Sequence, residues 1–109
     1  MDLNTYQKRA ADTARYPERG SNPIYPTLGL AGEAGEVCEK VKKVIRDQNG
    51  EFSPAAVAAI KKELGDVLWY VAMLADELGL NLDDIASSNL KKLASRGARG
   101  QLHGSGDDR

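Results

Sequence analysis

The chain has 109 residues and a net charge of -1, from 15 lysines and arginines against 16 aspartates and glutamates. That length supports one domain with a modest core, because a chain of this size buries only about two thirds of its unfolded surface. The balanced charge excludes any general attraction to nucleic acid or an anionic membrane, so an anionic ligand must be held by a local site.

Four stretches carry helical periodicity and none shows sustained strand alternation. The first runs from Asn4 to Arg15, with Tyr6, Ala10 and Ala14 on one face. A turn-rich segment from Pro17 to Pro26 follows and is predicted to be loop. The second helix is expected from Thr27 to Asp47, with Leu30, Ala34, Val37, Val41 and Val44 as its apolar stripe, and Asn49-Gly50 ends it. Cys38, the single cysteine, reads as a small core residue of this helix.

The third helix has the clearest start: Ser53 is an N-cap and Pro54 occupies the first helical position, where its missing N–H costs nothing. Val57, Ile60, Leu64, Val67, Val71, Leu74 and Leu78 then alternate steps of three and four up to Gly79, as in a coiled-coil seam. Asn81 caps the fourth helix, where Asp83 and Asp84 complement the dipole, and the helix is expected to end at Arg96.

The predicted fold is therefore all-α, an antiparallel bundle of about four helices over residues 1–96, with a Gly-rich tail over 97–109 that reads by composition as disordered. Apolar surface left by the short first helix and the wide seam of the third predicts a homo-oligomer. No basic segment followed by an apolar core opens the chain, and no apolar run approaches the ~20 residues needed to span a bilayer. The expectation is a cytoplasmic protein without membrane or nucleic-acid partners.

The chemistry lies in a repeated pattern. The second helix carries Glu33-Ala-Gly-Glu36-Val and the third carries Glu63-Leu-Gly-Asp66-Val. Acids three apart share one helix face, and both pairs stand in the same phase to the apolar stripe. Gly35 and Gly65 weaken each helix by ~1 kcal/mol relative to alanine, a cost that close helix approach could offset. On antiparallel neighbours the four carboxylates converge, and like charges so arranged need cations; hard oxygen donors select Mg²⁺ or Mn²⁺. A single Glu-x-x-Glu is usually a solvated face, as Glu39 with Lys42 or Lys43 should be, but two copies in matched phase argue for a metal site. The di-iron alternative needs Glu-x-x-His on two helices, whereas His103 is the sole histidine.

The run from Leu28 to Val37, then Lys62 to Tyr70, then Asn89-Leu-Lys-Lys-Leu93, resembles the MazG-like family of all-α nucleoside triphosphate pyrophosphohydrolases. The resemblance implies metal-dependent hydrolysis of a (deoxy)nucleoside triphosphate to the monophosphate and pyrophosphate, using Mg²⁺ or Mn²⁺. It also implies a homodimer or homotetramer with active sites near subunit contacts, and it places Asn89 and Lys92 at substrate phosphate or sugar. In this reading Glu33, Glu36, Glu63 and Asp66 hold metal, and Glu36 or Glu63 assists the attacking water. Arg96 shares a face with Lys92 and is a candidate for the leaving pyrophosphate. Tyr16, Tyr25, Trp69 and Tyr70 are candidates for base recognition, with Tyr25 placed in a lid loop. Ser105 and Arg109 are the tail's candidates for closing over the triphosphate. The competing reading is a non-catalytic helical interaction protein that keeps the acids as a metal site.

Overall fold

The computed structural model describes residues 1–100 and 104–107, and among these it contains helices and no strands. The helices are α1 (Leu3–Ala11), α2 (Ile24–Asp47), α3 (Pro54–Glu77) and α4 (Leu82–Ala98). Their starts follow local chemistry. The Asp2 carboxylate accepts from the Thr5 N–H at 2.7 Å, the Ser53 hydroxyl from Ala56 N–H at 3.2 Å, and the Asn81 amide oxygen from Asp84 N–H at 2.8 Å. Each satisfies a backbone donor that the first helical turn leaves unpaired.

Two boundaries differ from expectation by three residues or more. α1 stops at Ala11, where the chain turns through Asp12 and Thr13, and does not reach Arg15. α2 begins three residues earlier than Thr27 and takes Pro26 into its first turn, because N–H groups there have no intrahelical acceptor to lose. Asn22 accepts from the Tyr25 N–H at 3.1 Å and starts the helix from outside. At the other end Asn49 and Gly50 take φ of 55° and 75°, the left-handed turn that Asn-Gly favours.

α2 and α3 form a long antiparallel hairpin. Gly29 lies beside Tyr70, Glu33 beside Glu63 and Asp66, and Lys40 beside Glu63, so position rises along one helix as it falls along the other. The buried core lies elsewhere, where α1 and the segment after it pack on the C-terminal half of α3 and the start of α4. It comprises Ala10, Ala14, Tyr16, Ala72, Met73, Ala75 and Leu82. Gln7, buried among them, donates from Nε2 to Leu80 O at 2.9 Å and accepts from Leu82 N–H at 2.8 Å, so one amide side chain clamps the α3–α4 connection to α1. Asn4 accepts from Asp83 N–H at 3.1 Å and adds to that clamp.

The expected apolar seam is only partly internal. Val44 is buried, but Val57, Leu64 and Leu78 are each more than half exposed. Cys38 is exposed as well, against the expectation of a core residue. The physical reason is that α2 carries two apolar stripes. The second, Ile24, Leu28, Ala31, Gly35, Cys38 and Ile45, recurs at helical spacing and faces outward along its whole length. Gly35 and Gly65 do not serve close approach either, since a Cβ added at either would meet nothing within 4 Å. The tight contact is at Gly29.

Candidate active site

The sequence expectation placed four acids at the edge of the α2–α3 seam. Three of them come together: a carboxylate oxygen from each of Glu33, Glu63 and Asp66 lies within 4.8 Å of the others. Glu33 and Glu63 are half-buried between the helices, and Asp66 is exposed at the rim. Glu36 is exposed one turn along α2 and stands outside this closest group, though its charge reaches Glu33. Burial, a hydrogen bond with Glu63, and the charges of Asp66, Glu63 and Glu36 hold the Glu33 carboxyl above the ordinary glutamate range. Lys40 approaches Glu63 at 3.9 Å from one side and offsets part of this negative charge.

Glu33, Asp66, Trp69 and Tyr70 border an open depression of about 280 Å³. Its aromatic wall belongs to a closed circuit of four rings. Tyr16 stacks on Tyr25 at 4.9 Å between centroids, Trp69 meets Tyr16 edge-on at 6.3 Å and Tyr70 edge-on at 5.0 Å, and Tyr70 returns to Tyr25 at 6.5 Å. Edge-to-face and offset contacts of this kind suit the ring quadrupoles. Trp69 Nε1 donates to the Thr13 hydroxyl at 2.8 Å, which fixes the indole over the start of the α1–α2 connection. Tyr25 sits in the first turn of α2, not in the lid loop expected for it.

That connection is pinned, and Glu77 is the pin. Its carboxylate, with no exposed side-chain surface, accepts from Tyr16 Oη at 2.8 Å, from Gly20 N–H at 2.7 Å and from Asn22 N–H at 3.3 Å, and pairs with Arg19 at 3.2 Å. Arg19 also reaches Asp76 at 2.5 Å. Although burial acts to raise it, these donors together hold the Glu77 carboxyl below the ordinary range. Burial and the bond to Glu77 push the Tyr16 phenol up to about 12.

The candidates on α4 lie apart from the acids within one chain. Asn89 and Lys92 line a groove with Leu80, Asp84, Ile85 and Ser88. Arg96 is buried and faces the tail residues Gly106 and Asp107. Ser105 is exposed, and Arg109 lies outside the described residues. From sequence Tyr6 has only a place on the α1 face, and Gly29, Thr13 and Glu77 have no assigned role. Burial and the Asp66 charge raise the Tyr6 phenol, so this α1 side chain belongs to the electrostatic surroundings of the acids. No local pattern marks these roles, because each acts through a partner distant in the chain.

An all-helical chain that gathers acids from Glu-x-x-Glu and Glu-x-x-Asp on two antiparallel helices, beside an aromatic-walled depression, defines a carboxylate-centred helical class. The MazG nucleotide pyrophosphohydrolase domain matches residues 25–99, and the chain belongs to that family. It is 46% identical to the Gene 37 protein of Mycobacterium phage L5 over the whole of both chains. It is 30% identical to the Uncharacterized protein YvdC of Bacillus subtilis strain 168, over 74% of this chain and 84% of that one. No solved structure matches the chain. No helix among the described residues is long and apolar enough to cross a membrane.

Proposed function

We propose that the protein hydrolyses a (deoxy)nucleoside triphosphate to the nucleoside monophosphate and pyrophosphate, with Mg²⁺ or Mn²⁺ held by Glu33, Glu63 and Asp66 together with Glu36. The observation that carries this reading is the convergence of three carboxylates from two helices within 4.8 Å. Their chemistry fits a hard divalent cation: all donors are oxygens, and the Glu33 carboxyl is already disfavoured as an anion by burial and then by its acidic neighbours. A bound cation of this type neutralises phosphate charge and makes water a better nucleophile at neutral pH.

The chain's own residues supply the rest. Glu36 or Glu63 accepts the proton of the attacking water, Glu36 being the more accessible of the two. Trp69 and Tyr70 border the depression beside the acids and offer ring faces and edges to a base, with Tyr25 behind them. Asn89 and Lys92 take phosphate or sugar. Their groove differs from the acid-lined depression of the same chain, which favours a site completed across a contact between subunits. The outward stripe of α2 and the half-exposed Val57, Leu64 and Leu68 of α3 supply apolar surface for a homodimer or homotetramer.

The test is a panel of canonical and altered nucleoside triphosphates with Mg²⁺ or Mn²⁺, the products separated by chromatography. Equal amounts of monophosphate and pyrophosphate are expected. Metal binding without turnover of any nucleotide would replace this reading with the non-catalytic one.

A further inference from the structure

Among the described residues of the tail, Gly106 and Asp107 return to α4. Lys92 Nζ pairs with Asp107 Oδ1 at 3.1 Å, and Arg96 Nη2 faces the same oxygen at 3.4 Å. Arg96 Nη2 also donates to the backbone carbonyls of Asp107 and Gly106. The Arg96 side chain is 4% exposed, whereas that of Asp107 is 83% exposed. A guanidinium is thus buried and the acid that balances it stands in solvent. Moreover, Arg96 Nε is buried with no hydrogen-bond partner among the described residues.

Nε and Nη2 lie on the same edge of a guanidinium, the edge that a phosphate or carboxylate takes with two parallel hydrogen bonds. Here the tail uses one half of that edge, mainly through backbone carbonyls, and leaves the other half unmet. An unpaired buried donor costs free energy, so the arrangement is a partial solution to the burial of Arg96. An oxyanion could meet both donors and Lys92 as well, but only where Asp107 now stands. Lys92 and then Arg96 hold the Asp107 carboxyl below the ordinary range.

We propose that Lys92 and Arg96 form an oxyanion seat for a phosphate or pyrophosphate group, and that the free chain fills this seat with its own Asp107, so that tail and phosphate compete. The proposal rests on the reading of the substrate as a triphosphate, and it adds a self-limiting contact to that reading. Binding of the anion releases the tail, and loss of the tail carboxylate opens the seat.

The competition is measured without catalysis by calorimetric titration of inorganic pyrophosphate into the full chain, freed of metal by chelation and dialysis, at low ionic strength. Asp107→Asn should bind about three- to tenfold more tightly than the unchanged chain, the factor expected when a seat is closed roughly 70–90% of the time. Glu51→Gln, an equal change of charge at an exposed position of the α2–α3 connection, should leave the affinity unchanged. Lys92→Gln should weaken binding several-fold. Equal or weaker binding by Asp107→Asn, an equal gain in Glu51→Gln, or undiminished binding by Lys92→Gln would overturn the proposal, as would the absence of binding in every form. Failure of the hydrolase reading is separate: it appears as no turnover in the nucleotide panel, whatever the titration shows.

Discussion

The Tyr70 ring lies on the backbone of α2 at Gly29, so close that a Cβ added there would stand 2.2 Å from Tyr70 Cε1. One missing methyl group therefore seats the ring that walls the acid-lined depression. In Gly29→Ala, the ~1 kcal/mol gained in helix propensity is outweighed by an overpacking cost of about 1–3 kcal/mol. A lowered melting temperature is expected. In a Tyr70→Ala background the same change should become neutral or stabilising, and thermal melts of the four proteins in this cycle measure the difference. Equal effects of Gly29→Ala in both backgrounds would show that the ring does not need the glycine.

Glu33→Gln and Glu63→Gln test the acids. Each change is nearly isosteric, so turnover should fall on the order of 100-fold or more, since even partners that only orient metal ligands cost 10–100-fold when removed. The metal-free Glu33→Gln protein should melt no lower than the unchanged chain, because its carboxyl is disfavoured as an anion in the fold. Near-normal kcat in either variant would remove that acid from the site.

Metal removal gives a second view of the same cluster. Activity should vanish on chelation and return with Mg²⁺ or Mn²⁺, with Ca²⁺ a poor substitute because of its longer and looser coordination. Since the Glu33 carboxyl is raised, protons compete with the cation there. The rise in melting temperature on adding Mg²⁺ or Mn²⁺ should therefore be larger at pH 8 than at pH 5, measured by a thermal-shift series. A pH-independent rise would place the cation elsewhere.

Glu77 sets a different pH dependence. Its carboxyl is depressed in the fold, so the stability it contributes is complete above the ordinary glutamate range and is lost as pH falls through the lower, folded value. Glu77→Gln should cost about 2–4 kcal/mol at neutral pH, the scale of losing charge-assisted bonds to a buried acceptor, and should flatten the acid limb of the stability curve. Denaturant melts from pH 7 to pH 3 compare the two proteins. Parallel curves would mean that the loop after α1 does not depend on the charge.

What was legible in the sequence was whatever acts over a few residues. Ser53 and Asn81 cap helices through donors three positions away, and the paired acids stand out because the same short pattern occurs twice. Periodicity showed that α2 and α3 are amphipathic but not which face meets which neighbour. Periodicity alone accordingly puts Cys38 and Leu64 inside, and they are exposed. Gly35 and Gly65 drew notice by their place in the motifs, while the glycine in close contact is Gly29, whose partner lies 41 residues on. Glu77 gave no signal at all, because its donors Tyr16, Arg19, Gly20 and Asn22 belong to a different part of the chain.

The Gln7 clamp also bears on the order in which the molecule assembles. α1 has nine residues, too few for a lasting helix on its own, and its side-chain bonds reach 73, 75 and 79 positions downstream to Leu80, Leu82 and Asp83. α1, made before the other three helices, is therefore among the last to settle. The α2–α3 hairpin closes through a short turn, whereas α1 must wait until the start of α4 has been made. Until then Ala10, Met73 and Leu82 have no shared interior.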